Sequence, residues 1–411
     1  MQRYTFFVKC KMRIVHYNKK MYFCIQVMKH RIFTILLAFM FLTPLWGQEA
    51  DTSSFRDTVA SPSTGSSNIF TSTWKWFSRW RDKAQLKGYE PGYVDYPKGR
   101  PWVVGLYGKM AVTNIMMHLP DMTDDTYFDI YNTTGLSSKL TAGIYYTGWG
   151  VSFGPRLSNK SDLYFSFSSY GRVFGFDIKL DNFRSMHSRM EWASLEGDIH
   201  GTQKLKGLKG PEMILLEINT YYVFNARKFS YASALSQTTW QRRSAGSMIA
   251  GLSYYASYTG FDAEFFEQLN IPVPYYADTL HLLNHNIIAG VGYAYNKVWD
   301  DGKWMLHASL LPMLRWSYYN NVDINPKGNL DDWPEEYRTL YQQKVDYLKS
   351  NAAHRRLSFA GTLRLAGFWN ISPRWVTGTT LTVSNLFGGI NDGTKFTLSD
   401  AFMLIYGAYR F

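Results

Sequence analysis

In the stretch Trp304-Met305-Leu306-His307-Ala308-Ser309-Leu310-Leu311-Pro312-Met313-Leu314-Arg315-Trp316, every second residue from Trp304 is apolar. Trp304, Leu306, Ala308, Leu310, Pro312, Leu314 and Trp316 make one set, and His307, Ser309 and Arg315 stand in the other. Side chains on a strand point alternately to opposite faces, so this is a strand with one apolar and one polar face. A strand of a soluble sandwich usually runs about five or six residues. This one is more than twice as long, and a tryptophan brackets each end. At about 3.4 Å per residue and a 45° tilt, Trp304 to Trp316 spans about 30 Å of height, the thickness of a bilayer core. The pattern predicts a strand that crosses a membrane with an aromatic girdle at each interface.

The same period recurs along the chain. Phe174, Phe176, Ile178 and Leu180 alternate with Gly175, Asp177 and Lys179. Leu357, Phe359, Leu363 and Leu365 alternate with Arg356, Ser358, Thr362 and Arg364. Strands are expected near 102–117, 138–147, 149–157, 161–170, 172–181, 212–224 and 228–240. Others are expected near 245–257, 260–268, 284–296, 303–317, 354–368, 374–386 and 398–411. That makes about fourteen, within a range of 12–16, and an even number is what a single-chain bacterial barrel requires. The weakest is 260–268, which is needed to keep short and long connections in phase. Short turns fall at 147–149, 225–228 and 370–374, and long polar stretches at 182–210, 318–353 and 387–397. The fold class is therefore all-β, a transmembrane antiparallel barrel with short periplasmic turns and long extracellular loops. The 318–353 stretch reads as a solvated loop with room for a short helix.

Composition agrees. Aromatic residues are 17% and charged residues 18%, with a mean hydropathy of −0.25, as alternation between lipid and water would average. The last strand ends the chain in an aromatic residue, with Met403, Ile405, Gly407, Tyr409 and Phe411 on one face. Such an ending resembles the signal read by the barrel-assembly machinery, which is an expected partner along with outer-membrane lipid.

The apolar run Ile32–Trp46 is about fifteen residues, too short for a comfortable span. It follows Met28-Lys29-His30-Arg31 and ends at Gly47, the layout of a secretory signal peptide. Residues 1–47 are read as an upstream extension and leader, with the start at Met28 and cleavage after Gly47. Residues 48–100 are read as a periplasmic segment, Ser-, Thr- and Pro-rich at first. It then reaches Trp74-Lys75-Trp76-Phe77-Ser78-Arg79-Trp80-Arg81, a short amphipathic helix at the interface or a cap on the barrel mouth. The barrel is assigned to 101–411. Of the formal charge of +12, eight cations fall in 1–47 with no acid, leaving 12 − 8 = +4. That removes the main support for a nucleic-acid partner. Cys10 and Cys24 are the only cysteines, so residues 48–411 hold no disulfide, thiolate metal site or thiol nucleophile.

Two segments resemble a known family. One is Arg227-Lys228-Phe229-Ser230-Tyr231 running into Ser236-Gln237 and Gln241-Arg242-Arg243-Ser244-Ala245-Gly246-Ser247; the other is Gly88-Tyr89-Glu90-Pro91-Gly92-Tyr93-Val94. Together they are similar to a Bacteroidetes-type family, domain of unknown function 4421, over roughly residues 88–411. The resemblance implies an outer-membrane barrel and no activity, so no functional residue is carried over from it.

If the apolar faces meet lipid, the lumen receives Asp177, Lys179, Glu217, Asn219, His307, Arg315, Arg356, Arg364 and Arg410. Five cations against two acids predict an electropositive interior and an anion or sugar-acid passage, unless the groups pair across strands and close the lumen. Arg242 to Ser247 is either a basic turn presenting backbone N–H groups to an anion or a plain connection. His285 and His307 lack the carboxylate spacing of a metal site, so no metal and no cofactor is expected. No nucleophile elbow, zinc-protease motif or phosphate loop occurs, although His307-Ala308-Ser309 sets a base and a hydroxyl on one face. The expected function is a narrow, non-enzymatic pore or small-solute transporter. A closed adhesion barrel using its long loops comes second, and an outer-membrane lipid hydrolase third.

Overall fold

The computed structural model describes residues 88–95, 102–120, 126–146, 148–155, 157, 163–183, 186–194, 200–203, 210–262, 264, 277–352, 356–386 and 395–411. The leader, Met28 start, Gly47 cleavage and the 74–81 helix all lie outside the described residues.

Twelve antiparallel strands close into a barrel. In chain order the strands begin with a short β1 (Val94–Asp95), which lies outside the ring. The first ring strand is β2 (Trp102–Pro120), and β3 (Thr126–Thr133) extends from it. The ring continues through β4 (Ser137–Tyr146), β5 (Trp149–Pro155), β6 (Leu163–Tyr170) and β7 (Phe174–Phe183). After β8 (His187–Ser194) and β9 (His200–Gln203), it resumes with β10 (Glu212–Val223). A one-turn helix α1 (Ala232–Leu235) and β11 (Trp240–Gln241) precede β12 (Ala245–Phe261), β13 (Ala277–Trp299) and β14 (Trp304–Pro326). Helix α2 (Glu335–Ala352) then leads to β15 (Arg356–Asn370), β16 (Trp375–Leu386) and β17 (Lys395–Arg410). The ring closes where β17 pairs with β2, from Arg410↔Val103 to Lys395↔His118. Phe411 and Trp102 exchange backbone bonds of 3.0 Å each way, so the two ends of the barrel domain seal each other.

The lower half of β2 pairs with β4 up to Ala111↔Ser137, and its upper half, still paired with β17 on one edge, takes β3 as its other neighbour. With β8 and β9 this makes a three-strand flap on the barrel wall at the long-loop end.

The count of about fourteen included two strands that the structure does not form. Residues 228–240 turn inward as a loop with α1, and of the 260–268 strand residues 260–261 are the tail of β12, which ends at Phe261, while 263 and 265–268 lie outside the described residues. Two were lost together, so parity survived. The 318–353 loop is also corrected: β14 runs on to Pro326, and α2 fills 335–352. Asn329 accepts from the Asp331 N–H, and Trp333 packs edge-on against Tyr341 at 5.2 Å to start α2.

The outward face of the ring is apolar. Trp304, Leu306, Leu310, Leu314 and Trp316 are exposed, and Leu357 and Phe359 reach 65%. A contiguous apolar surface of this extent needs an apolar solvent. At the short-turn end the rim is aromatic. Trp304 stacks on Trp369 at 5.1 Å, Trp102 meets Tyr146 at 4.4 Å, and Trp375 meets Tyr409 at 4.8 Å. No described helix is long and apolar enough to cross a membrane.

Candidate functional site

The segment between β10 and β12 is where the sequence reading and the structure differ most. After Val223 the chain makes a turn at 225–229, closed by the Phe229 N–H on the Asn225 carbonyl at 3.0 Å, and enters the lumen. Phe229, Ser230, Ala232 and Ser233 are at most 1% exposed. A loop inside a barrel must satisfy its own backbone, and the small hydroxyls here do so. Ser233 donates to the Ser230 carbonyl at 2.7 Å, and Ser236 donates to the Ala232 carbonyl at 3.2 Å. Gln237 takes a left-handed conformation at φ 56°, held by its side-chain amide on the Ser233 carbonyl.

Side chains from around the ring grip this plug. From β13, Asn296 Nδ2 donates to the Ser230 carbonyl at 3.0 Å. From β15, Arg364 Nη1 donates to the Tyr231 hydroxyl at 3.0 Å. From β17, Arg410 reaches Gln237, and from β10 the Tyr221 ring meets Tyr231 edge-on at 4.7 Å. The N-terminal segment then clasps the plug from below. Val94 and Asp95 of β1 pair with Gln241 and Trp240 of β11, and Tyr89 donates to Ser230 Oγ at 3.3 Å. Arg242 bonds Asp95 at 2.7 Å and Asp301 at 3.2 Å, with Trp240 under its guanidinium at 3.9 Å. Two carboxylates thus occupy the arginine that was considered for an anion turn, and it serves as part of the clasp.

Above the plug lies a small chamber of about 100 Å³. Tyr231 and Leu235 of the plug form its floor. Its walls bring together five residues expected in the lumen: Asp177, Lys179, Glu217, Asn219 and Arg364. Lys179 lies 3.1 Å from Asp177 and 3.2 Å from Glu217. Asn219 donates to Glu217 at 2.6 Å and to Asp177 at 3.2 Å, and the Tyr255 hydroxyl donates to Glu217 at 2.8 Å. Opposite them, Arg364 stands among Thr362, Thr382 and Ser384. Toward the long loops, Ile115, Met213, Phe261, Leu280 and Leu282 crowd the lumen as a buried apolar cluster.

The other expected residues go elsewhere. His307 and Arg410 lie against the plug. Arg315 is buried on β14 and donates to Ser358 at 2.8 Å. Arg356 opens β15 opposite Ser317. The expectation missed four charged groups that also face inward: Lys109, Lys139, Asp181 and Asp400. Lys139 pairs with Asp181, and Asp400 accepts from Thr113 at 2.8 Å. Lys109 sits over the Phe402 ring at 4.5 Å. Their alternation was available in the sequence, as Lys139 beside Leu140 illustrates. Among described residues the interior therefore holds two acids and two cations more than expected, and much of its charge is paired.

Below the chamber, Ser309 Oγ lies 3.2 Å from His307 Nε2, and His307 Nδ1 lies 2.7 Å from Asn296 Oδ1. The Asn296 amide donates to the plug, so its oxygen is the acceptor and His307 carries its proton on Nδ1. His307 Nε2 is then free to accept the Ser309 proton, the geometry of an activated hydroxyl. His285 contacts Tyr254 at 2.6 Å, and no metal-binding cluster is found among the described residues.

No curated protein sequence is similar to this chain. Solved structures aligned to it include the outer membrane protease OmpT from Escherichia coli, at 6% identity and a TM-score of 0.36, covering 77% of this chain and 98% of that one. The translocator domain of the autotransporter NalP from Neisseria meningitidis aligns at 7% identity and a TM-score of 0.29, covering 83% and 97%. The outer membrane protein OprG from Pseudomonas aeruginosa aligns at 8% identity and a TM-score of 0.25, covering 77% and 99%. A family model matches residues 124–411, and the chain belongs to the family described as Domain of unknown function (DUF4421).

Proposed function

We propose that this protein resides in a bacterial outer membrane and works as a gated passage for a small polar solute. Its short turns face the periplasm and its long connections face outward. The observation that carries this reading is the polar chamber inside the ring, bounded by the inward-folded plug on one side and by apolar side chains on the other. Side chains alone fill a barrel of about eight strands, whereas twelve enclose a wider lumen, and here its middle is lined by polar and charged groups. Apolar constrictions gate by excluding water, and a plug anchored by hydrogen bonds gates by local release. In this reading lipid covers the apolar belt, and the barrel-assembly machinery reads the terminal strand at Met403, Ile405, Gly407, Tyr409 and Phe411.

The test is conductance of the folded chain in planar bilayers, with and without the plug residues 229–239 replaced by a short glycine–serine linker. The expected result is rare openings of the native barrel and sustained, salt-dependent current from the variant. No current from a folded, plug-deleted barrel would sink the passage and favour a closed barrel that acts through its outer loops. Pairing of the luminal acids argues against strong charge selection, so only a weak anion preference is expected.

A second reading, an acyl hydrolase, is favoured by the Ser309–His307–Asn296 chain. The plug covers His307, which makes a plug anchor the simpler role. Hydrolysis of short p-nitrophenyl esters by the plug-deleted barrel, abolished by Ser309→Ala, would establish the enzyme reading.

A further inference from the structure

Arg364 differs from the other charges of the chamber. Its Nε donates to Thr382 Oγ1 at 3.3 Å and its Nη1 to the Tyr231 hydroxyl at 3.0 Å. Both partners are neutral, and among the described residues no carboxylate lies within ion-pair distance of the guanidinium. Arg364 lines the chamber, and among the described residues its guanidinium makes no further hydrogen bond. The acids opposite are already supplied: Asp177 and Glu217 share Lys179 and Asn219, and Glu217 also takes the Tyr255 hydroxyl. The wall around Arg364 is rich in hydroxyls, and Tyr231 offers an aromatic surface at the floor.

We propose that Arg364 is the subsite for the carboxylate of a small polyhydroxylated acid, and that its occupation releases the plug. This rests on the passage reading above and names its solute class and trigger. A guanidinium binds a carboxylate through two parallel hydrogen bonds, stronger than a bond to a neutral phenol. A carboxylate bound side by side through Nη1 and Nη2 shares Nη1 with the Tyr231 hydroxyl and so competes with that bond, one of the contacts that bind the plug to the wall. The hydroxyls of the solute meet Thr362, Thr382 and Ser384 on one side and the Asp177–Glu217 cluster on the other, which accepts from them. A ligand moves an equilibrium only by its differential affinity for the two states, and here that difference is the Tyr231 bond lost on binding. Pre-breaking that bond must tighten binding.

The experiment is isothermal titration of the folded full-length barrel in detergent with glucuronate, glucose and glucose 6-phosphate. Glucuronate is expected to bind at least tenfold more tightly than either of the others. Arg364→Met is expected to lose that preference, and Thr382→Val, which removes only an orienting contact, to weaken glucuronate about threefold. Tyr231→Phe is expected to bind glucuronate more tightly and to raise open probability in bilayers. Equal binding of glucose, preference for glucose 6-phosphate, or unchanged binding by both Arg364→Met and Thr382→Val would overturn the subsite. Weaker binding by Tyr231→Phe would overturn the trigger. Titration does not depend on current, so a silent barrel that binds glucuronate refutes the passage and leaves the subsite standing.

Discussion

Arg410, the penultimate residue, donates its Nε–H to the main-chain carbonyl of Gln237 at 3.1 Å. The same guanidinium reaches the Gln237 side chain at 3.2 Å and Asn370 Oδ1 at 3.0 Å, and it is 1% exposed. The strand that closes the ring thus also holds the left-handed corner of the plug. Ring closure and plug seating are coupled through one side chain, and sealing the barrel at Trp102 and Phe411 brings Arg410 to its place.

Replacing Arg410 by Leu should loosen the plug while the ring still closes. Losing charge-assisted bonds to the plug costs about 2 kcal/mol of its seating, roughly a thirtyfold rise in the open form. Residues 48–411 contain no cysteine, so Ser236→Cys provides a single buried reporter in the plug. Its maleimide labelling in folded barrel should accelerate about thirtyfold on adding Arg410→Leu. Unchanged labelling would mean that Arg410 does not hold the plug.

The barrel was legible because alternation is a property of each strand alone. Trp304 to Trp316 states its two faces without reference to any neighbour, and the structure keeps that facing. The plug was not legible for the same reason. Residues 228–240 read as one more strand of the ring, whereas the structure folds them into the lumen against the other strands. One local cue was present: Ser230, Ser233, Ser236, Thr238 and Thr239 form a run of small hydroxyls that can bond their own backbone. The chamber was half legible. Asp177, Lys179, Glu217 and Asn219 were assigned to one face, but their mutual pairing depends on the register of β7 against β10, which sequence periodicity does not specify.

Lys179→Met tests whether that pairing stabilises the barrel. It leaves Asp177 and Glu217 with only neutral donors in a confined space. Breaking a buried pair costs about 3–5 kcal/mol, and water in the chamber reduces this to about 2 kcal/mol. The urea midpoint of the detergent-folded barrel should fall, and adding Glu217→Gln should recover most of the loss. A double variant as weak as the single one would show that Lys179 acts by packing instead of charge.

Gly175 is the register partner of Tyr221, and a Cβ there would fall on the Tyr221 ring. That ring supports Tyr231 of the plug edge-on. Gly175→Val should therefore destabilise the barrel by about 1–3 kcal/mol through overpacking and also raise labelling at Ser236→Cys. Combined with Tyr221→Ala, the loss should be smaller than the sum of the two, since the clash is then gone. Simple additivity would place the strain elsewhere.

Tyr89 gives the clasp a pH limit. Burial pushes its phenol up to about 12, against the smaller lowering effects of its Ser230 bond and of Arg172. An unfolded tyrosine ionises near about 10. The folded value is raised, so the contribution of this group is fully present below about pH 10 and is lost as pH rises through about 12. Phenolate formation removes the proton that Tyr89 donates to Ser230 and places a charge against the plug. The observable is the difference between native protein and Tyr89→Phe. Maleimide labelling of Val94→Cys, buried in the clasp strand, reads its opening. Above pH 10 the native background should open progressively faster than Tyr89→Phe, with the two parallel below that pH. A difference that stays constant up to pH 12 would remove Tyr89 from the clasp.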